Sequence, residues 1–338
     1  MPSRCPIRVA VIGAGSWGTT VAALACRNAP TVLWARSPAL AAEVTQEHRN
    51  SEYLPGFELP PELTATASLE EAVSGADVLV MGVPSHGMRS TLEDVAPFVR
   101  PWVPVVSLAK GLEEGSHLRM TEVIADVLPG HPAGALTGPN LAKEVLAGHA
   151  AATVVAFHDD TIARELQRIF ASDVFRVYTN PDVVGCEIGG ALKNVFAIAS
   201  GMADGLGTGD NTRAAVITRG LAELSRLGLA MGGQLLTFAG LAGMGDLVAT
   251  CISRQSRNRY VGEQLGKGRT TDEIVAEMKM VAEGIKTSRV VVEVAEQRGV
   301  EMPIAQEVYR VVHEGCPASS AYRGLLRRGA RSEMHDLS

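Results

Sequence analysis

Two lysines in this sequence stand in apolar surroundings, where a charged amine is poorly hydrated. Lys110 follows the apolar run of residues 103–108, and Lys193 lies within the apolar segment 189–196. Loss of hydration lowers the pKa of a lysine towards the range that is useful for proton transfer. The alternative is that each lysine lies at the edge of a helix and extends its amine into water. Both are therefore candidate proton donors or acceptors.

A carboxylate and a hydroxyl occur together in a second apolar stretch. Asp246 and Thr250 lie within residues 243–250, and three arginines, two serines and an asparagine follow at residues 253–259. Guanidinium and amide donors can hold a phosphate monoester through forked hydrogen bonds. The second segment therefore predicts a phosphate site, and the alternative is a charged helix end that faces water.

Gly13, Gly15 and Gly18 form a Gly-x-Gly-x-x-Gly motif after the apolar run 8–12 and before a helix predicted at 19–28. In that context the glycines permit a tight turn and let a diphosphate approach the amides of a helix N-terminus. A second predicted strand, at 31–35, completes a strand-helix-strand unit of about 30 residues. The unit predicts a dinucleotide site, although the glycines alone would also fit a simple turn.

The end of the second predicted strand bears on cofactor choice. NAD sites usually carry an acidic residue there, but no acidic residue precedes Glu43, and Arg36 stands at the strand end. An arginine can pair with a 2′-phosphate, so NADP(H) is favoured and NAD(H) stays possible; a surface arginine in water is the alternative.

His86, in the loop after another predicted strand, is left outside the catalytic set because a lone loop histidine is more often a lining or surface residue.

The pattern of apolar residues changes near residue 185. Before it, short apolar runs predict strands at residues 8–12, 31–35, 78–83, 103–108, 151–157 and 175–178. Helix-patterned segments between most of them, such as 19–28 and 118–128, predict crossover units and a mainly parallel sheet. After it, helical periodicity dominates at residues 187–203, 212–227, 272–279, 285–297 and 304–313. We predict an α/β fold, with a doubly wound, Rossmann-type NAD(P)-binding domain over 1–185 and an all-helical substrate and catalytic domain over 186–338.

Composition limits the partners that this chain can have. The 338 residues carry a formal net charge of -6, which gives no general attraction to nucleic acid or to an anionic membrane. No apolar run approaches membrane-spanning length, so we expect no membrane span. The five cysteines are scattered and lack the spacing of metal ligands, so we expect neither disulfides nor a metal site. A cytoplasmic protein fits best.

Taken together, the chain resembles bacterial NAD(P)-dependent glycerol-3-phosphate dehydrogenase over nearly its whole length. The matching motifs are GAGSWGT at 13–19, YLPG at 53–56, VPS at 83–85, AKG at 109–111, GP at 138–139, GGALKN at 189–194, GDL at 245–247, SRNR at 256–259 and VAEG at 281–284. The resemblance implies a helical domain like the C-terminal domain of 6-phosphogluconate dehydrogenase. It also implies a homodimer that interconverts dihydroxyacetone phosphate and sn-glycerol 3-phosphate by hydride transfer, supplying glycerol 3-phosphate for phospholipid synthesis.

Site residues follow from the same resemblance. Lys193 matches the family's proton-transferring lysine, and the residues matched around it are Asn194, Asp246, Thr250 and Lys110. The implied dinucleotide contacts are Gly13, Gly15, Ser16, Trp17, Gly18, Arg36, Lys110, Ala142, Arg257, Val281 and Glu283. The implied substrate contacts are Lys110, Gly138, Asn140, Lys193, Asp246, Ser256, Arg257 and Asn258. Asn140 stands where many relatives carry serine or threonine, which puts the geometry of that contact in doubt.

Two other functions stay open from the sequence. A β-hydroxyacid or 6-phosphogluconate-type dehydrogenase also joins a Rossmann domain to a helical one and uses a lysine. A protein that senses NADP(H) without turnover is the second alternative, although binding alone would not require a buried proton donor. Substrate profiling and an absorbance assay on the nicotinamide separate the three.

Overall fold

The computed structural model describes residues 6–278 and 282–326 of the chain. Its described strands are β1 (Val9–Ile12), β2 (Thr31–Trp34), β3 (Thr64–Thr66), β4 (Val78–Met81), β5 (Val105–Ser107), β6 (Ala133–Thr137), β7 (Ala151–Ala156) and β8 (Phe175–Asn180). They form an eight-stranded sheet in the order β3-β2-β1-β4-β5-β6-β7-β8. Neighbouring strands are parallel, except that β6 and β7 run antiparallel.

Helices alternate with these strands. They are α1 (Ser16–Ala25), α2 (Pro38–Glu47), α3 (Leu69–Val73), α4 (Met88–Val95), α5 (Met120–Val127), α6 (Ala142–Leu146) and α7 (Asp160–Phe170). Every residue of β1 and of β4 is buried, as expected for central parallel strands that are covered on both faces. The predicted α/β class with a mainly parallel, Rossmann-type sheet is confirmed.

Two strands, β3 and β6, were not predicted from the sequence. β3 has only three residues, Thr-Ala-Thr, and none of them is fully buried, so no apolar run marks it. β6 reads Ala-Gly-Ala-Leu-Thr, and small residues have low β propensity. Gly134 is nevertheless required in β6, because a Cβ there would lie 2.2 Å from the ring of Phe157. Packing against that ring, rather than strand propensity, accounts for the glycine in β6.

The remainder of the described chain is helical. Its helices are α8 (Val183–Gly205), α9 (Asp210–Ala230), α10 (Leu235–Ala239), α11 (Asp246–Ile252), α12 (Arg257–Gly266), α13 (Thr271–Glu277), α14 (Glu283–Arg298), α15 (Pro303–Glu314) and α16 (Ala318–Leu326). The predicted all-helical second half is thereby confirmed. Four of these helices, α10, α11, α12 and α16, were not predicted; α10 and α11 are short and flank a π-helical turn at Leu241–Gly245.

Helix α8 corrects the expectation that no apolar run approaches membrane-spanning length. It has 23 residues and is apolar enough to cross a bilayer by length and composition, yet 94% of its most apolar window is buried inside the protein. A helix that is apolar on all sides can be the central helix of a large core. Its Leu192, Val195 and Phe196 belong to the apolar core of the helical part, and α8 is such a core helix.

The chain separates into two compact units. Unit 1 runs up to Ala109 and again over Met120–Val183, whereas unit 2 consists of Lys110–Arg119 and the chain from Val184 onwards. The predicted division after residue 185 placed residues 110–119 and 184–185 in the first domain, whereas they belong to unit 2. Residues 110–119 contact the helices of unit 2 through Lys110, Leu112 and Arg119, and these long-range contacts leave no mark on local sequence.

Candidate active site

A buried carboxylate in unit 2 lies between two lysines. Asp246 begins α11, and its Oδ1 lies 2.6 Å from Nζ of Lys193, which α8 carries. Its Oδ2 lies 2.7 Å from Nζ of Lys110. The side chains of Asp246 and Lys193 are 2% and 7% exposed, so the cluster is almost dry. With both amines protonated, two positive charges share one negative charge, and the cluster can attract an anion.

Thr250 completes this cluster one helical turn after Asp246. Its hydroxyl accepts a hydrogen bond from Nζ of Lys193 at 2.7 Å and donates one to the backbone carbonyl of Asp246 at 2.7 Å. Both side-chain acceptors described for the Lys193 amine thus come from the same turn of α11. This fixes the amine in place without a long or flexible partner.

The pKa of Lys193 is set by opposing effects. Burial lowers it to about 8, the negative charge of Asp246 opposes that decrease, and the positive charge of Lys110 adds to it. Desolvation disfavours a charged amine because a medium of low dielectric constant solvates it poorly. Lys193 can therefore hold or release a proton near neutral pH, which an ordinary surface lysine does not do.

Side-chain amides connect the lysines to two other segments. Asn194 donates to the backbone carbonyl of Lys110 at 3.0 Å and accepts from Nδ2 of Asn258 at 2.9 Å. Asn258 in turn accepts from the backbone N–H of Gly284 at 2.9 Å. The result is a continuous chain of amides from the loop of Lys110, through α8 and α12, to the first turn of α14.

Gly284 is required where this chain of amides ends. A Cβ at this position would lie 2.7 Å from the backbone oxygen of Asn194 and 2.8 Å from Oδ1 of Asn258. Its neighbour Glu283 begins α14 and exerts an attractive electrostatic effect on Arg257. The sequence motif at 281–284 is therefore explained in part by close packing. Val281, a predicted dinucleotide contact, lies outside the described residues.

The predicted phosphate segment forms the start of α12. Ser256 caps that helix by accepting from the backbone N–H of Arg259 at 3.2 Å, and Arg257, the first helical residue, is exposed. Arg259, in contrast, is only partly exposed, and its guanidinium lies 2.6 Å from a carboxylate oxygen of Asp204. Of the three arginines predicted to hold an anion, Arg259 is thus engaged in an ion pair with Asp204, and Arg257 is attracted by Glu283.

The glycine motif of unit 1 contains two kinds of glycine. Gly13 has φ +117, and a Cβ there would lie 2.8 Å from the backbone of Gly82; a Cβ on Gly18 would lie 2.0 Å from the oxygen of Gly13. A Cβ on Gly15, in contrast, would meet no atom of the chain within 4 Å. The fold requires the first and last glycines, whereas the space over Gly15 is open to a ligand. Gly82 is a packing partner that the sequence reading missed.

Asn50 organises the loops around this motif and was also missed. Its buried side chain donates to the carbonyl of Ala14 and to the hydroxyl of Thr19, both at 2.9 Å, and accepts from the backbone N–H of Tyr53 at 3.1 Å. Ser16 donates to the carbonyl of Tyr53 at 3.0 Å. The YLPG segment is thereby attached to the glycine loop. The only sequence signal was the proximity of Asn50 to that motif.

Two of the predicted contact residues of unit 1 have a buried polar atom without a hydrogen-bond partner in the described part of the chain. These atoms are Nε1 of Trp17, in the first turn of α1, and Oδ1 of Asn140. Asn140 itself is held by a hydrogen bond from its Nδ2 to Thr153 at 2.9 Å. A buried polar atom without a partner is costly, and a ligand could satisfy both. Together with the open space at Gly15, these atoms fit a bound dinucleotide and substrate.

The remaining predicted residues of unit 1 lie at ends of strands and helices. Arg36 is exposed directly after β2, Ala142 begins α6, and Gly138, with φ +134, follows β6. His86 is exposed in a short 3-10 turn after β4. Among residues 6–278 and 282–326, no group of three or more His, Cys, Asp or Glu could hold a metal ion.

Known proteins match both units. The family described as NAD-dependent glycerol-3-phosphate dehydrogenase matches residues 8–163 with its N-terminal part and residues 182–323 with its C-terminal part. Glycerol-3-phosphate dehydrogenase (NAD(P)+) 2 of Sphingopyxis alaskensis is 57% identical over 97% of this chain and 99% of its own length. The corresponding enzyme 1 of Mycobacterium tuberculosis is 54% identical over 97% and 96%. The crystal structure of glycerol-3-phosphate dehydrogenase from Coxiella burnetii, 36% identical, has a TM-score of 0.91 and covers 96% of this chain and 99% of its own.

Proposed function

The chain belongs to the NAD-dependent glycerol-3-phosphate dehydrogenase family, and we propose that it interconverts dihydroxyacetone phosphate and sn-glycerol 3-phosphate with NAD(P)H or NAD(P)+. The observation that carries this proposal is the buried Lys193, held by Asp246 and Thr250, with a pKa of about 8. A protein that only binds a dinucleotide has no use for a dry, titrating amine. The family match favours this reaction over that of a β-hydroxyacid or 6-phosphogluconate-type dehydrogenase.

Lys193 is the proposed proton donor and acceptor. The bound dinucleotide supplies or accepts a hydride at C2 of the substrate. During reduction, negative charge grows on the carbonyl oxygen of the substrate, and the Lys193 ammonium stabilises that charge and donates the proton. During oxidation, the neutral amine takes the proton of the hydroxyl group. Since its pKa is about 8, both forms of Lys193 are available near neutral pH.

Asp246 and Lys110 are proposed to adjust the charge of this amine. Asp246 contacts each lysine through a different oxygen, so it orients both amines while neutralising neither completely. The excess positive charge suits an oxyanion, which carries a full negative charge only as the reaction proceeds. Asn194 is proposed to act with them, because it holds the backbone of Lys110.

The start of α12 is proposed to bind the phosphate of the substrate. Ser256, Arg257 and Asn258 lie at the N-terminus of a ten-residue helix that has no acidic residue in its first turn. Such a terminus carries unpaired N–H groups and a partial positive charge, and both favour an anion. Gly138 and Asn140 of unit 1 are proposed as further substrate contacts. For the dinucleotide, the proposed contacts outside the glycine loop are Arg36, Lys110, Ala142, Arg257, Val281 and Glu283.

The preference for NADP(H) depends in this proposal on Arg36. Arg36→Asp is expected to weaken NADPH binding by about tenfold or more while leaving NADH binding nearly unchanged, because a carboxylate repels the 2′-phosphate but can accept from ribose hydroxyls. Dissociation constants for the two reduced dinucleotides, measured by fluorescence titration, check this. Arg100→Asp, at an exposed guanidinium that pairs with Asp77, is the control. Equal losses for both dinucleotides would contradict the assignment.

Gly15 and Gly18 give a matched pair of substitutions in the dinucleotide site. Gly15→Ala is expected to leave the melting temperature unchanged or slightly higher, because its Cβ would meet no protein atom within 4 Å, but to weaken dinucleotide binding by obstructing the diphosphate. Gly18→Ala is expected to destabilise the fold, since its Cβ would lie 2.0 Å from the oxygen of Gly13. Thermal denaturation and dinucleotide titration of both variants check this. Undiminished affinity in Gly15→Ala would place the diphosphate elsewhere.

Steady-state kinetics test the proposed function directly. Dihydroxyacetone phosphate should be reduced with NADPH and NADH, measured in parallel by nicotinamide absorbance, with a β-hydroxyacid and 6-phosphogluconate as oxidation controls. We expect turnover of the triose phosphate and none of the controls. Turnover of a control substrate alone, or binding of NADPH without any turnover, would refute the proposal.

Physiological context is also proposed. Among the described residues, Cys26, Cys186, Cys251 and Cys316 form no disulfide, which suits a reducing compartment, and we place the protein in the cytoplasm. The family resemblance supports a homodimer and a role in supplying glycerol 3-phosphate for phospholipid synthesis. Light scattering of the purified protein tests the dimer, and the glycerol-phosphate content of a strain lacking the protein tests the role.

A further inference from the structure

Residues 110–119 form a hairpin on unit 2, here named the Lys110 hairpin. Leu112 and Arg119 form an antiparallel bridge that closes it, and the backbone N–H of Glu113 donates to the carbonyl of Leu118 at 2.9 Å. Leu112 is buried in the apolar core of unit 2. Lys110 lies two residues outside the bridge, so its position depends on how both arms of the hairpin are held.

Helix α8 holds the two arms at separate points on one face. Asn194 donates to the carbonyl of Lys110 at 3.0 Å, and Glu187 lies 2.6 Å from the guanidinium of Arg119. These two α8 residues are seven positions apart, which is close to two full turns, so they share a face about 10.5 Å apart along the axis. The first arm is therefore attached through its backbone and the second through a side chain.

The ion pair at the second attachment differs from the others on the hairpin. The side chains of Arg119 and Glu187 are 14% and 5% exposed. In contrast, Glu293, which pairs with His117, is 45% exposed, and Lys286 and Glu114 are 44% and 50% exposed at a separation of 3.5 Å. Exposed pairs contribute little because water and salt screen them, whereas a buried pair resists separation. Among the ion pairs described for the hairpin, Arg119–Glu187 is thus the most buried.

We propose that Arg119 and Glu187 are positioning residues for the reaction: their ion pair fixes the second arm of the Lys110 hairpin on α8 and thereby holds the Lys110 ammonium against Asp246. In this proposal Arg119 and Glu187 act on the Lys193–Asp246–Thr250 cluster through Lys110, which the same hairpin carries. If the pair is removed, the hairpin loosens and Lys110 moves away from Asp246. The Lys193 amine then loses a positive neighbour and keeps its proton more strongly.

Lysine labelling tests this positioning independently of activity. The full-length chain and the Arg119→Met/Glu187→Met variant are treated briefly with acetic anhydride, and acetylation is followed by peptide mass spectrometry. Replacing both partners avoids burying one charge without its ion-pair partner. We expect Lys110 to react several-fold faster in the variant, while the half-exposed Lys267 reacts at the same rate in both proteins. Arg119→Lys, which keeps the charge but not the forked geometry, should give an intermediate rate. A Lys110 rate equal to that of the unmodified chain in both variants would overturn the proposal.

The pH dependence of kcat is the second readout, and it rests on the proposed function. The apparent pKa that governs glycerol 3-phosphate oxidation should rise, by up to about one unit, in the Arg119→Met/Glu187→Met variant. Arg89→Met, at a surface pair with Asp126, should leave that pKa unchanged. An unchanged apparent pKa in the double variant would overturn the proposal, because loss of stability alone does not move the titration of Lys193. Absence of turnover in the unmodified enzyme would refute the proposed function instead, and the labelling result would still stand.

Discussion

Lys193→Met is expected to lower kcat by about 10³-fold in both directions, within the range that a positioned general acid or base contributes. Methionine fills most of the volume of the buried lysine chain but can neither donate a proton nor stabilise an oxyanion. Dinucleotide affinity should be retained, since the proposed dinucleotide contacts do not include this amine. Steady-state kinetics together with NADPH titration measure both quantities.

Lys267→Met is the matched control for this substitution. Lys267 is half exposed and pairs with Glu263 on the surface of α12, so its loss should leave kcat unchanged. A Lys193→Met variant with near-native kcat would eliminate Lys193 as the proton donor. A large loss of NADPH affinity in that variant would instead assign Lys193 to binding.

The pH dependence of the unmodified enzyme follows from the same lysine. Because the pKa of Lys193 is about 8, kcat for oxidation should rise as the pH increases through 8, where the amine becomes a neutral base. For reduction kcat should fall over the same interval, since the donor loses its proton. The free energy of unfolding should increase between about pH 8 and pH 10.5, because there the unfolded chain binds a proton that the folded chain does not. In Lys193→Met both effects should be absent.

Asp246→Asn is expected to impair the site more broadly, because a single carboxylate contacts both lysines. Without it, burial and the charge of Lys110 are no longer opposed and the pKa of Lys193 falls further, so a smaller fraction of the amine carries the proton that reduction requires. We expect kcat for reduction to fall by about 10²-fold or more. Removing one partner of a buried ion pair should also cost about 3 to 5 kcal/mol of folding free energy.

Asp126→Asn controls for the loss of a carboxylate in general, since Asp126 pairs with Arg89 at the surface with a side chain 59% exposed. Its effect on the free energy of unfolding should be within about 0.5 kcal/mol. The full pH profile of kcat is the informative measurement for Asp246→Asn. A profile with its inflection still near pH 8 would show that Asp246 does not influence the titration of Lys193.

These substitutions move the titration of Lys193 in opposite directions. Loss of Asp246 removes an attraction and lowers the pKa, whereas loosening the Lys110 hairpin removes a repulsion and raises it. General destabilisation of unit 2 would not shift the pKa of Lys193 in a particular direction. Comparing Asp246→Asn with Arg119→Met/Glu187→Met therefore distinguishes the direct electrostatic effect of Asp246 on Lys193 from the effect of the hairpin on the position of Lys110.

Short-range patterns in the sequence predicted much of this protein. The glycine motif requires only a strand before it and a helix after it, and both lie within thirty residues of Gly13. The apolar surroundings of Lys110 and Lys193 indicated dry amines; the structure buries Lys193 and leaves the side chain of Lys110 15% exposed. Strand β6 could not be predicted in this way, because its small residues have low β propensity and Gly134 is required there only by its contact with the ring of Phe157.

What the sequence by itself determined is the fold class and the family, since both depend on local periodicity and on motifs of a few adjacent residues. Only the tertiary structure decided that one carboxylate serves two lysines, with Lys110 and Asp246 separated by 136 positions and Lys193 and Asp246 by 53. The tertiary structure also decided that Arg259 forms an ion pair with Asp204 and that Arg119 forms one with Glu187. It placed the side chain of Asn50 against the glycine loop, where it donates to the carbonyl of Ala14. Each of these contacts arises when distant segments pack together, and neither residue type nor spacing along the chain encodes which partners then meet.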